Sequence, residues 1–427
     1  MYFCIIKHEF NAQLDGHLHN MMNRTSILEI CGIVLLATFL TGCATSKNFS
    51  IDAGKYAREN CLIKMPLKKS IKGCSLFETT NGKEIPVVCQ VVQDGDSCWL
   101  YFFLKGNTPA GSVRTYKYKC NHHTKSVGKM GIEDNGKAIT LTSNGKQILA
   151  YNYALSEVPE GVRQVYARSG YIHPACTPSG FVYTCVQPQD HRHHYGIWNP
   201  WTRVEYDKKI YDLWNLGDSL GTVRADKIEE LYQGEILTGF NATLKHIIFS
   251  PEGEKVIMNE EWQVKAVESE NGYLWDFVSI LEPCAELPVT IKAYRYQGLC
   301  CRATEAWTKE NCTMMTSEGL ERPEIDATRA RWIYVNGHVD NQKSGFMFMS
   351  YPDNYNTPEP LRIWDQDANR GRGDVFVNFC PAKTTDWILV PGNKYTLRYR
   401  IFAYDGEMSA KQAERLWTDF AHPPTIH

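Results

Sequence analysis

The chain has 427 residues, 43% hydrophobic, 22% charged and 12% aromatic, with a formal net charge of −2. That length can fill one large β domain or two to three smaller ones. No lysine or arginine tract is present, which excludes a nucleic-acid footprint. The aromatic residues suit β-sheet cores, and individual rings also suit sugar stacking.

The N-terminus reads as an export signal. Met21-Met22-Asn23-Arg24 is a short, singly positive lead into an apolar run from Ile30 to Leu40, which is too short to span a bilayer. The run ends in Leu40-Thr41-Gly42-Cys43, which resembles the lipobox of bacterial lipoproteins. The resemblance implies cleavage before Cys43, lipid on that cysteine, and a membrane-anchored lipoprotein on the periplasmic or cell-surface side of a bacterial envelope. Residues 1–42 are therefore assigned to the signal, with 1–20 as an upstream extension. Of the 15 cysteines, Cys4 and Cys31 fall within it, and 12 follow Cys43. Their spacings form no CxxC pair, which argues against a structural zinc site.

Residues 43–83 are polar and weakly patterned and are expected to be a tether with a first strand. The β pattern strengthens from residue 84. Pro86–Gln93 and Ser97–Phe103 flank Asp94-Gly95-Asp96, and Ile139–Thr142 and Gln147–Tyr151 flank Asn144-Gly145, two hairpin signals. Residues 160–225 carry many Gly, Pro, Trp and His residues and are expected to be long loops between short strands. A meander follows over residues 228–282. In its last strand Tyr273, Trp275, Phe277 and Leu281 share one face and Leu274, Asp276, Val278 and Ile280 the other, so that sheet is expected to be covered on both sides. Further strands are expected at 331–335, 345–350, 374–379 and 395–404. One helix is expected near the C-terminus, where Ser409 and Gln412 make a capping box and Ala413, Leu416, Trp417 and Phe420 line one face. The expected class is all-β: a large antiparallel β-sandwich over residues 84–420 with few short helices.

The densest chemistry lies at Asp190-His191-Arg192-His193-His194-Tyr195-Gly196-Ile197-Trp198, with His173 upstream in Tyr171-Ile172-His173-Pro174. Imidazole titrates near neutral pH and is the commonest metal ligand. If the flanks are extended, His191 and His193 point to one face and Arg192 and His194 to the other.

These two motifs resemble the "FHP … DHRHHRGLW" signature of the PmoA-like family, a bacterial family of unknown function. Tyr296–Arg302, Ala330–Trp332, Gly345–Asn354 and Leu397–Gly406 fit the resemblance as well, which runs from about residue 137 to 420. Tyr195 departs from it, standing where arginine is usual, and so does the segment Asn199-Pro200-Trp201-Thr202-Arg203-Val204. The family name refers to a methane mono-oxygenase subunit that is embedded in the membrane. This chain has no spanning run beyond its signal, so that activity is not expected. The resemblance implies a galactose-mutarotase-type β-supersandwich, a fold shared by sugar epimerases, lyases and glycoside-processing enzymes.

Three chemistries fit the motif. In a carbohydrate-active enzyme working by hydrolysis, elimination or epimerisation, His191, His193 or His194 serves as acid or base, oriented by Asp190. His173, Arg192, Trp198, Arg295, Arg302, Arg331 and Asn354 are then candidate contacts to a saccharide or glycoside ligand. In a metal site, His173, His191 and His193 hold a divalent Zn, Mn or Fe ion. The alternative is a non-catalytic glycan-binding lipoprotein, which needs aromatic surface but no histidine cluster. Nothing resembles a phosphate loop, a GxSxG elbow or a dinucleotide fingerprint.

Overall fold

In the strand Gly272–Pro283, Tyr273, Trp275, Phe277 and Leu281 point into the main core while Leu274 enters a second apolar cluster on the opposite face. The sheet that carries this strand is thus covered on both sides. The computed structural model describes residues 46–121 and 128–427. The expected signal and the lipid-site Cys43 lie outside the described residues.

Two eight-stranded antiparallel sheets face each other. The meander sheet is ordered Gly221–Tyr232, Leu237–Ser250, Gly253–Ser269, Gly272–Pro283, Tyr395–Asp405, Gln342–Ser350, Trp332–Val339 and Cys312–Thr316. The site sheet is ordered Met130–Asp134, Ala138–Ser143, Lys146–Asn152, Tyr171–Ala175, Ile197–Trp198, Cys300–Arg302, Phe376–Phe379 and Leu361–Ile363. Their inner faces share one core, including Tyr151, Ile172, Ile197, Phe240, Trp262, Phe277, Cys301, Val377 and Tyr399. This is the all-β sandwich that the alternating patterns predict.

Both expected hairpins form. Asp94 pairs with Ser97 across the first turn, and Asn144 and Gly145 both take positive φ in the second, as a tight primed turn requires. In the first hairpin, however, Pro86 and Val87 belong to a separate strand, Lys83–Val87, paired with Gly73–Thr80. Asp276 lies directly opposite Arg400, and their side chains bond at 2.6 Å, whereas Arg398 stands opposite Val278.

The polar stretch expected as a tether carries three strands in its described part: Ser46–Asp52, Arg58–Leu67 and Gly73–Thr80. They contribute to a five-stranded and a three-stranded sheet that bury Ile51, Ile63, Met65, Leu76, Leu100 and Phe102 between them. Their apolar residues alternate with polar ones that face outward, so average polarity hides the strand signal. The far side of the three-stranded sheet, through Val92 and Tyr101, joins the helix Ala410–Ala421 in covering the outer face of the meander sheet. That helix begins at the predicted Ser409/Gln412 capping box. Among the described residues, no helix is long and apolar enough to cross a membrane.

Candidate functional site

The site stands on the outer face of the site sheet, and strand register decides which residues reach it. Ile172 pairs with Ile197, Ile197 with Cys301, and Cys301 with Val377, and all four point into the main core. Their neighbours Tyr171, His173, Trp198, Cys300, Arg302 and Phe376 therefore face outward. By the same parity Arg362 and Trp364 face outward beside the strand Leu361–Ile363. Tyr171, Tyr195, Trp198, Trp214, Cys300 and Phe376 form an apolar floor there.

The histidine run folds over this floor. It is not extended. His191 N–H donates to the Pro188 carbonyl and His194 N–H to the His191 carbonyl, so the segment is a succession of turns. Gly196 returns the chain to the sheet at φ +60°, where an added Cβ would lie 2.4 Å from the Ile172 carbonyl oxygen. Only glycine fits that approach. Turned backbone cancels the expected two-face division. His191 and His194 stack with ring centroids 4.7 Å apart, and His193 meets His194 at 4.9 Å and His191 at 5.4 Å. One ring nitrogen of each lies within 4.8 Å of the others. The convergent set is His191, His193 and His194, which corrects the predicted set of His173, His191 and His193.

Beneath the histidines runs a chain of charge. His191 Nδ1 is 2.7 Å from Asp190 Oδ2, and Arg302 Nη1 lies 3.1 Å from the same oxygen. Arg302, fully buried, is held from below by Asp374 at 2.5 Å and lies under the Trp364 ring at 4.6 Å. Burial acts to raise the Asp190 carboxyl, but the His191 hydrogen bond and the Arg302 charge outweigh it and hold it below its ordinary value. An ionised Asp190 accepts from His191 Nδ1–H, which leaves the Nε2 lone pair free. Burial, with His191 nearby, pushes His193 down to about 4, and burial with the neighbouring imidazoles drives His194 well below its ordinary value. Both rings are neutral at pH 7, the state that ligates a metal. His194 Nδ1 is buried with no hydrogen-bond partner, and its ring stacks on Phe376 at 5.2 Å.

The three histidines open onto a cleft of about 300 Å³. Its other walls are Trp214, Tyr296, Trp364 and Phe376, with Asn215, Arg295 and Arg362 as the remaining polar residues. Trp214 meets Tyr296 edge-on at 4.9 Å, and Asn215 Nδ2 donates to the Tyr296 hydroxyl at 3.1 Å. The cleft thus combines metal-competent nitrogens, flat apolar walls and hydrogen-bond donors.

Several candidate contacts are placed elsewhere. His173 shares the outer face, but its Nδ1 pairs with Thr184 Oγ1 at 2.9 Å, burial lowers it to about 4, and it does not line the cleft. Arg192 turns away to donate to the Gln187 carbonyl at 2.6 Å. Trp198 is fully buried under His194 and supports the site from below, so it offers no face to a sugar. Arg302 likewise positions Asp190 and does not reach the cleft. Arg331 pairs with Glu414 of the C-terminal helix at 2.7 Å, on the far side of the meander sheet. Asn354 is a buried strut, donating to Glu359 and to the Arg398 carbonyl and accepting from Arg398 N–H. Tyr195, the departure from the signature, is buried, and its hydroxyl donates to the Tyr166 carbonyl while Arg168 lies over its ring at 5.7 Å.

Sequence reasoning missed Trp214, Asn215, Tyr296, Arg362, Trp364 and Phe376 as cleft residues, and Asp374 as the anchor of Arg302. The Asp365–Asp374 segment reads as a solvated loop. The missed signal was parity: Asp374 is two residues before Phe376, and Arg362 and Trp364 are two apart, so each set shares a face.

Similarity to solved structures is distant. A glycosyl hydrolase family 38 protein from Enterococcus faecalis is 8% identical, with 90% of this chain and 47% of that one covered at a TM-score of 0.49. An alpha-mannosidase from Enterococcus faecalis is 9% identical, with coverages of 90% and 46% and a TM-score of 0.41. A galactose mutarotase related enzyme from Lactobacillus acidophilus is 10% identical, with coverages of 66% and 98% and a TM-score of 0.32. The chain spans about half the length of the first two. Similarities this remote carry no argument about function. No curated protein matches the sequence. The PmoA-like resemblance gains no support from these comparisons. A family model does match, over residues 138–418, which takes in the whole histidine loop, the cleft walls and all of the site sheet except its edge strand Met130–Asp134. On that match the chain belongs to DUF6807, a family of unknown function.

Proposed function

We propose that this chain is a carbohydrate-active enzyme that acts on a saccharide or glycoside at a divalent metal held by His191, His193 and His194. The observation that carries the reading is the convergence of three imidazoles, one supported by an Asp190–Arg302–Asp374 chain anchored on buried Arg302 and Asp374, at the wall of an aromatic cleft. Catalytic metal sites commonly use three protein ligands and keep one position open, and a carboxylate behind a ligating histidine fixes its tautomer. A Zn, Mn or Fe ion suits nitrogen donors of this kind, and when bound it supplies Lewis acidity beside the cleft.

The residues of the chain itself do the remaining work. Asp190 holds the proton on His191 Nδ1. Arg302 keeps Asp190 ionised and in place. Trp364 and Tyr296 offer faces to the apolar side of a sugar ring. Arg295 offers donors to its hydroxyls, and Asn215, whose two amide N–H groups go to Asp212 and Tyr296, offers its Oδ1 as an acceptor. No carboxylate lines the cleft among the described residues. Hydrolysis by a pair of flanking carboxylates is therefore not the chemistry these walls support. Metal-assisted hydrolysis, elimination or epimerisation remains. The lipobox-like Leu40–Cys43 further supports lipid anchoring at Cys43, on the periplasmic or cell-surface side of a bacterial membrane.

Elemental analysis of the purified full-length protein tests the metal reading. One equivalent of a divalent transition metal is expected in the parent and none in the His191→Ala/His193→Ala variant. Turnover in a glycoside screen is expected to fall with the metal. A metal-free parent, purified without chelators, overturns the metal site and leaves the imidazoles as acid and base. A parent that binds glycans but turns none over favours the second reading, a glycan-binding protein, which the two aromatic cleft walls also suit.

A further inference from the structure

The cleft rim carries more positive charge than its neighbours neutralise. Arg295 is exposed and has no ion-pair partner among the described residues; its guanidinium lies 5.5 Å from the Tyr296 ring centre. Arg362 lines the same cleft and bonds Asp326 through Nη1 alone, at 2.5 Å. A guanidinium has five N–H donors in a planar fork, so one contact leaves most of them available. Lys383 stands behind both, its ammonium donating to the Arg295 carbonyl at 3.0 Å and lying 3.8 Å from the same Asp326. Arg362 and Lys383 therefore share one carboxylate, and Arg295 has none among the described residues. Burial lowers the Lys383 ammonium, Asp326 opposes this, and Arg362 and Arg295 add to the lowering, which places all of them within electrostatic reach of one another.

That arrangement suits a planar or tetrahedral anion better than a neutral hydroxyl. Arginine is the side chain whose fork matches carboxylate and sulfate oxygens in pairs. The aromatic wall formed by Tyr296 and Trp214 lies beside Arg295, and Trp364 shares a strand face with Arg362. A sugar ring stacked on either wall brings a ring substituent to an arginine.

We propose that the cleft takes an anionic saccharide, a uronate or a sulfated sugar, with its acidic group held between Arg295 and Arg362. This rests on the saccharide reading given above and adds the charge of the substrate to it.

A glycan array carrying neutral, uronate-containing and sulfated oligosaccharides, probed with the full-length parent and with Arg295→Gln, tests the proposal; calorimetry then gives the affinity of the best ligand. Arg295 is exposed, so the variant is expected to fold, and unchanged metal content in it checks that the histidine loop is intact. Anionic glycans are expected to bind at least about tenfold more tightly than neutral ones of the same size, and Arg295→Gln is expected to lose about tenfold. Binding is also expected to weaken as salt rises. Preference for uronates or for sulfates identifies the acidic group. Equal binding of neutral and anionic glycans overturns the proposal and leaves the saccharide reading standing. Tight anionic binding that survives in Arg295→Gln overturns the site. Binding of no glycan by the parent overturns both.

Discussion

On the outer face of the meander sheet, Trp332, Tyr334, Met347, Met349, Phe402 and Tyr404 lie sealed beneath the C-terminal helix and the N-terminal three-stranded sheet. On the outer face of the site sheet, Tyr171, Trp198, Cys300 and Phe376 lie beneath a loop that presents three imidazoles to a cleft. Both faces start from apolar residues at alternate strand positions. The first is closed by an amphipathic helix whose own apolar stripe fits it. The second is closed by a turned loop whose polar groups cannot all be satisfied within the protein: His194 Nδ1 is buried and unpartnered, and Arg302 needs two carboxylates to be buried at all. Burial of that kind costs stability unless each group is paired. The meander-sheet face holds the fold, and the site-sheet face is where the proposed chemistry would take place.

The contrast is sharpest in substitutions that act on one face and spare the other. Trp417 of the helix is buried in the sealed cluster, and its Nε1 donates to the Ser350 carbonyl at 3.0 Å. Trp417→Ala is expected to cost about 3–5 kcal/mol of stability. The folded protein should still hold the metal proposed at the three histidines, and denaturant melts with elemental analysis read both. Loss of metal without loss of stability would break the division between the faces.

Glu359 is the next largest case, inside the sandwich. It accepts from Ser350, Asn354 and Tyr399, yet burial outweighs these bonds and pushes its carboxyl from 4.5 up to about 7. The folded state then binds a proton that the unfolded state releases between those values. Its contribution to stability is fully present below pH 4.5 and falls by about 3 kcal/mol as pH rises to 7. Glu359→Gln removes that slope. Its stability relative to the parent is expected to improve between pH 4.5 and 7 and then level off, as measured by melting temperature across that range. A difference that does not change with pH would place the ionisation elsewhere.

At the site, Asp190→Asn keeps the shape and removes the charge behind His191. Metal affinity is expected to drop about 10- to 100-fold, read by competition with a chelator. An unaltered affinity would make Asp190 a strut for Arg302 only. The smallest effect is expected at Arg331, whose partner Glu414 is half exposed. Arg331→Ala should change stability by about 1 kcal/mol or less and leave both metal content and glycan binding unchanged. A change in glycan binding would bring the far side of the meander sheet into the function.

Much of the fold was legible because strand and helix signals are local. Asn144-Gly145 marks a primed turn whatever surrounds it, the Ser409/Gln412 box caps a helix within one turn, and the alternation from Tyr273 to Leu281 states how many faces are covered. Strands in the polar N-terminal stretch escaped because their inward residues, such as Ile51 and Ile63, alternate with charged ones. The histidine cluster was legible as a composition, and so was Asp190 as a carboxylate beside it, but which imidazole Asp190 meets was not.

The ligand set was not legible. It depended on whether Pro188–His194 is extended or turned, and that was decided by where Gly196 must re-enter the sheet beside Ile172. The cleft walls depended on register. Trp214, Tyr296, Arg362, Trp364 and Phe376 lie far apart in sequence and meet because their strands and loops finish on one face of one sheet. Trp198 and Arg302 looked like ligand contacts by residue type, yet the same register put them under the loop. Sequence alone thus determined the elements, the class and the chemical groups present, because those follow from short-range pattern and composition. Tertiary structure decided which of those groups face a common space, because that depends on pairings between strands far apart in sequence, such as Ile197 with Cys301 and Cys301 with Val377.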